Sequence, residues 1–320
     1  MIKTNYGILT GESGVAYHSN GSLKQCVLEE ECSLNTQFGV LIPKYQVTEA
    51  RTKHRNAVEF YETGVLKSIY LEEKTAIPTT IGPIEAELIT FYENGAIHRI
   101  FPLFGQVSGF WSEEEEKKLA QDITIDMPEV HIQNKVSCIC FYQEGTIKSI
   151  SLYSSEAVTL LKDEMEYKAR IGISFYESGR IKSLEPAVNS AVKTPVGVIF
   201  AYHNDPMGIH GDDNSLKFNE DGSIKKVTTV ASYIEIKDKN GNITEVKAMK
   251  RPSMLELDKY VIVPISIEFY EEKVEITDSD RCKKYYSYKD YDISSVYNEQ
   301  YEFENTCTDC ANCSGCGQIN

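Results

Sequence analysis

Residues 59–69 read Glu59-Phe60-Tyr61-Glu62-Thr63-Gly64-Val65-Leu66-Lys67-Ser68-Ile69. An aromatic run, a polar pair closed by glycine and a β-branched or aliphatic run together have the sequence form of a tight antiparallel hairpin. The pattern returns around Gly21, Gly95, Gly145, Gly179 and Gly222, with a weaker copy at Gly241. A three-residue loop whose glycine takes positive φ pairs Tyr61 with Val65 and Phe60 with Leu66. Val58, Phe60 and Leu66 then share one face, and Glu59, Tyr61 and Lys67 the other, where Glu59 is expected to oppose Lys67 as an exposed ion pair. The same register turns Ile89, Phe91 and Ile97 inward, and likewise Ile139, Phe141 and Ile147, and Ile173, Phe175 and Ile181. A two-residue loop would scatter these apolar residues over both faces.

A second echo precedes two copies: Thr79–Ala86 (T-T-I-G-P-I-E-A) matches Thr194–Ala201 (T-P-V-G-V-I-F-A), and Tyr6-Gly7-Ile8-Leu9 is a third example before the first hairpin. It reads as a lead-in strand, which makes a three-stranded meander the building unit. The expected fold is mostly β: repeated antiparallel hairpins or meanders forming an elongated sheet or stacked sheets. The intervals between hairpin glycines are irregular, which excludes a strict short-period solenoid. One short helix is expected near 112–121, because Ser112 with Glu115 forms a capping box and Glu113–Glu116 suits a helix N-terminus. Lys117 and Lys118 follow as i,i+4 partners, the acidic run reads as a solvated face, and Trp111 is expected to dock the helix to the sheet.

The F-Y-E-x-G-x-[I/L]-K-S hairpins resemble the MORN-variant repeat of bacterial proteins. That resemblance implies hairpins stacked into an elongated antiparallel sheet and an interaction or scaffold role, with no catalytic residue to carry across. The strings F-P-L-F-G-Q-V-S-G-F-W-S-E-E-E-E and G-I-H-G-D-D-N-S-L-K-F also resemble a set of uncharacterised bacterial proteins.

At 320 residues and 41% hydrophobic, the chain can build real cores without metal or disulfides. The expected organisation is a hairpin-repeat region over 1–280, as two halves of about 1–130 and 131–280, then a tyrosine-rich tether over 281–306 and a cysteine-rich tail over 307–320. The net charge of -15 disfavours nucleic acid as a partner. No apolar stretch is long enough to span a bilayer and the opening residues lack a secretory signal, so a cytoplasmic location away from membranes is expected.

Cys307, Cys310, Cys313 and Cys316 form a C-x2-C-x2-C-x2-C array. Thiolates are soft ligands, and the spacing is similar to that of ferredoxin-type clusters, so an iron-sulfur cluster or another thiophilic metal is expected ahead of zinc. Cys138 and Cys140 alternate on one strand and read as small filler, with a thiol or soft-metal pair as the alternative. Residues 203–215 are inserted between a lead-in strand and its hairpin and gather His203, Asp205, His210, Asp212 and Asp213. Such a set could hold a divalent cation or perform acid/base work, although D-P, M-G and H-G-D-D-N are also ordinary turn formers. No nucleophile elbow, phosphate loop or dinucleotide fingerprint occurs. The expected function is a non-enzymatic binding or scaffold protein with a protein partner and a thiolate metal site in the tail. A metal-dependent enzyme or redox protein centred on the 203–213 loop, and a structural repeat protein with an inert tail, stand as alternatives.

Overall fold

The computed structural model describes residues 1–46, 56–104, 112–127, 129–153, 155–162, 165–206, 213–253 and 259–298. These form a mostly antiparallel β protein with one helix, divided into a first unit made of the described residues of 1–182 and a second made of those of 183–298.

Each expected hairpin glycine sits at a turn with φ between 79° and 92°. At Gly64 the Tyr61 amide donates to the Val65 carbonyl at 2.8 Å and the Gly64 amide returns to the Tyr61 carbonyl at 2.9 Å. A side chain at that φ would be strained, which is why the repeat is built on glycine. Phe60 pairs with Leu66 as expected, but Glu59 faces Ser68 because a bulge falls at Lys67. The bulge recurs at Lys24, His98, Lys148 and Lys225. Glu59 therefore reaches Lys67 only diagonally, at 3.9 Å. The repeat lysine lies over the tyrosine of its own hairpin, 5.9 Å for Lys67 on Tyr61, 5.7 Å for Lys148 on Tyr142 and 5.6 Å for Lys182 on Tyr176, a cation–π arrangement. In the third repeat the His98 ring takes that place, 4.4 Å from Tyr92.

In the first unit the strands Leu23–Leu28, Val58–Phe60, Leu66–Thr79, Gly82–Phe91, Ile97–Phe101, Val130–Phe141, Ile147–Leu152 and Met165–Phe175 pair in that order. One cross-strand row runs Cys26, Val58, Ile69, Ile89, Ile100, Ile139, Ile150, Ile173, and every member is fully buried. Burying each such side chain contributes about 1.5–3 kcal/mol before entropic costs, so this row is the spine of the unit. The tyrosines tie successive hairpins together. Tyr61, Tyr92 and Tyr142 each donate a hydroxyl bond to the carbonyl of the next repeat's phenylalanine, Phe91, Phe141 and Phe175, at 2.8, 2.8 and 2.9 Å. His18 stands in the tyrosine position of the first repeat, with Nε2 2.9 Å from the Phe60 carbonyl.

The T-x-x-G echo is not a single lead-in strand but the turn of a second hairpin type. Thr4, Thr36, Thr79 and Thr194 each donate a hydroxyl bond to the carbonyl of Gly7, Gly39, Gly82 and Gly197 and accept an amide from the turn. Its polar side chain outcompetes the extended backbone, as threonine does in turns. In the first unit these hairpins act as lids on the phenylalanine face: Phe38 stacks 5.7 Å from Phe91 and Tyr6 lies 6.4 Å from Phe60. Their tips reach the F-Y turns, with Asn5 donating to Gly64 O at 3.4 Å, Gln37 to Gly95 O at 2.9 Å and Thr80 to Gly145 O at 2.7 Å. At the Gly179 hairpin the contact runs in the opposite sense, Glu129 accepting the Ile181 amide at 3.1 Å.

The helix spans Glu113–Leu119 with the expected capping box on Ser112. Lys117 is drawn away to Glu156, at 2.8 Å, and to Ser155, and Glu116 is buried, so the acidic run is not wholly a solvated face. Trp111 lies outside the described residues.

In the second unit, residues 183–186 lead a sheet through Leu216–Phe218, Ile224–Thr229, Ile265–Phe269, Lys273–Thr277 and Lys283–Ser287. Its buried row is Leu184, Leu216, Val227, Ile267, Ile276. Ser232–Lys237 lies between Ile243–Val246 and Asp292–Tyr297. Lys283–Ser287 and Asp292–Tyr297 fall within the stretch read as a tether; in its described part that stretch is paired strand, since its backbone amides find sheet partners whatever the polarity of its side chains. The turn entering it repeats the glycine-turn geometry with Arg281 at φ 63°: the Asp278 amide donates to Cys282 O and the Arg281 amide to Asp278 O.

Candidate functional site

On the face opposite the isoleucine spine a second row runs straight across the first unit: Gln25, Glu59, Ser68, Thr90, Arg99, Cys140, Ser149, Ser174. Alternation along each strand dictates this, because residues one position from the isoleucines must point the other way. From Cys140 onward the row is buried, while its Glu59–Arg99 half floors an open groove of about 590 Å3, within the usual range for small-molecule pockets. One wall is apolar, built from Tyr70 and Leu88 with Phe104 brought alongside by its amide bond to Glu87, 2.8 Å. The other wall carries Tyr61, Lys67 and His98.

Charge in the groove is unevenly matched. Glu59 reaches Lys67 diagonally at 3.9 Å and accepts from Asn56 at 3.3 Å. Arg99 has no ion pair or hydrogen bond from its side chain among the described residues, and the adjacent Thr90 hydroxyl and Arg99 Nε are buried polar atoms without a partner. The groups beside the guanidinium supply no counter-charge. Burial pushes the Cys138 thiol up to about 12, helped by neighbouring Cys140 and only partly offset by Arg99. Burial likewise raises Tyr92, which stays a neutral phenol at ordinary pH. The raised Cys138 thiol and the burial of both side chains fit the filler reading of Cys138 and Cys140, and Cys26 fills an isoleucine position of the spine with its thiol raised by burial to about 11.

Of the sequence candidates in the 203–213 loop, His203, Asp205 and Asp213 are described, and His210 and Asp212 lie outside the described residues. His203 Nδ1 accepts the Asp205 amide at 2.9 Å, a local turn contact. Just beyond the loop, the Glu185 carboxylate, fully buried, accepts the Ser215 amide at 2.8 Å and hydroxyl at 3.0 Å, and Asn214 donates to Ser183 at 3.0 Å. Cys307, Cys310, Cys313 and Cys316 lie outside the described residues. Among the described residues, no group of three or more His, Cys, Asp or Glu is placed to hold a metal ion. Nor is any helix there long and apolar enough to cross a membrane.

Sequence reasoning passed over the groove. Its signal was a departure from the repeat: where the second, fourth and fifth copies carry Lys-Ser, the third carries His98-Arg99. No family model, curated protein or solved structure matches this chain.

Proposed function

We propose that this chain is a non-enzymatic binding protein, a hairpin-repeat platform of the MORN-variant kind that engages its ligand or protein partner through the groove of its first unit. One observation carries the reading. The signature residues of the repeat are consumed in building the platform, while Arg99 and Thr90 hold polar atoms without partners among the described residues. Unpaired buried polar atoms are costly, and the groove beside them is where a binding partner would satisfy them. The cysteine tail is proposed as a separate thiophilic-metal site formed by Cys307, Cys310, Cys313 and Cys316, with an iron-sulfur cluster ahead of zinc.

Two measurements on the full chain test this. Native mass spectrometry and partner capture should find a retained molecule or partner that is lost when Arg99→Glu and Thr90→Val are combined; identical spectra and partner sets would remove the groove reading. Metal analysis and absorption after anaerobic purification should show bound metal that disappears when the four tail cysteines become serine. A metal-free parent protein would remove the tail reading.

A further inference from the structure

We infer that the groove takes a small organic oxyanion, a carboxylate or phosphate carrying an apolar body, with its head on Arg99 and Thr90; this rests on the binding reading above. Lys67 is engaged by Glu59, whereas the Arg99 guanidinium is not matched by any carboxylate among the described residues. A guanidinium presents a planar fork of donors that fits oxyanions. Thr90 sits directly across the strand pair from Arg99, so its hydroxyl supplies a further donor beside the fork. The apolar part has its own place: Tyr70 and Leu88 are cross-strand partners two positions along the same face, with Phe104 beside them, 6.3 Å from the Tyr70 ring. The site is thus polar at one side and apolar at the other, the arrangement by which pockets orient an amphipathic ligand. In a chain of net charge -15, a cation without a counter-charge among the described residues stands out as a place for an anion.

The test uses phenylacetate and phenyl phosphate as probes, with phenethylamine and benzyl alcohol as cationic and neutral counterparts. Titrations of the full chain are followed by calorimetry and by the NMR signal of the Arg99 Nε–H. One or both anions should bind and shift that signal, the pair separating carboxylate from phosphate preference, while phenethylamine should not bind. Arg99→Met, which keeps the aliphatic stem, should weaken the anion by roughly 10- to 100-fold, the range of a charge-assisted hydrogen-bonding group. Arg99→Lys should restore part of the loss, and thermal melting of each variant verifies that it folds. If neither anion moves the Arg99 signal, or Arg99→Met binds the anion as the parent does, the inference is overturned. If benzyl alcohol binds as well as the anions, the oxyanion assignment falls while the groove survives as a binding site. Loss of partner capture without anion binding would likewise separate the two.

Discussion

Replacing Tyr92 with phenylalanine removes one oxygen and leaves the ring in place. That oxygen donates at 2.8 Å to the carbonyl of Phe141, which begins the turn of the following repeat. A net intramolecular hydrogen bond is worth about 0.5–1.5 kcal/mol, and a carbonyl left dry adds to the loss, so Tyr92→Phe should cost about 1–2 kcal/mol. For a unit of this size that is roughly 2–6 °C in the midpoint of thermal unfolding. The hydroxyl also predicts a pH dependence. Burial is the leading cause raising Tyr92, and Tyr61, above their ordinary value of 10.0. Between the unfolded and folded values the folded chain holds more protons than the unfolded one, so stability falls with rising pH in that window. The contribution is fully present below pH 10 and is lost as pH climbs through the folded values. Urea unfolding at pH 7 and at a series of values above pH 10 should show this alkaline loss in the parent protein and a reduced one in a Tyr61→Phe, Tyr92→Phe double variant. A Tyr92→Phe protein as stable as the parent at pH 7, or an unchanged alkaline limb in the double variant, would refute the idea that hydroxyls bind repeat to repeat.

Ile100→Ala, at the fully buried centre of the spine, should lose about 3–4 kcal/mol in urea unfolding, whereas Ile8→Ala, at a position 53% exposed, should change stability by about 0.5 kcal/mol or less. Arg281→Gly should stabilise the chain by about 0.5–1 kcal/mol, because Arg281 occupies the left-handed region at φ 63° and glycine relieves that strain at some cost in unfolded-state entropy; a lower melting temperature would contradict this. Iodoacetamide at pH 8, followed by peptide mapping, should modify exposed Cys282 and spare Cys138, whose burial raises its thiol to about 12, until denaturant is added.

The hairpins at Gly64, Gly95, Gly145, Gly179 and Gly222 were legible because two independent signals agree at each one: a residue able to take positive φ, and a phenylalanine whose alternation with an aliphatic residue fixes the inward face. The bulge at Lys67 was not, because a lysine there looks the same in either register; it shows only once Glu59 is seen opposite Ser68. The turn at Asp278–Cys282 was hidden for the opposite reason, having the geometry without the glycine. Phe269 and Tyr270 begin another hairpin, closed through Glu271 and Glu272 with no glycine at all, Tyr270 donating to Lys273 O at 2.9 Å. The strands at 283–297 were masked by polar side chains, since pairing there is driven by backbone amides and not by an apolar alternation. The groove was partly visible as the His98-Arg99 departure, but its meaning depends on Thr90 lying across from Arg99, a relation between strands that no linear pattern carries.

The lids have a consequence for how the protein is made. Asn5, Gln37 and Thr80 each clasp a turn that lies roughly sixty residues further along the chain, so the clasp is always synthesised before the thing it holds. As the polypeptide leaves the ribosome, the hairpins at Gly64, Gly95 and Gly145 each follow their clasp out, so these contacts can form without waiting for the second unit. Shingles are laid on a roof in the same order, each course resting on the one below.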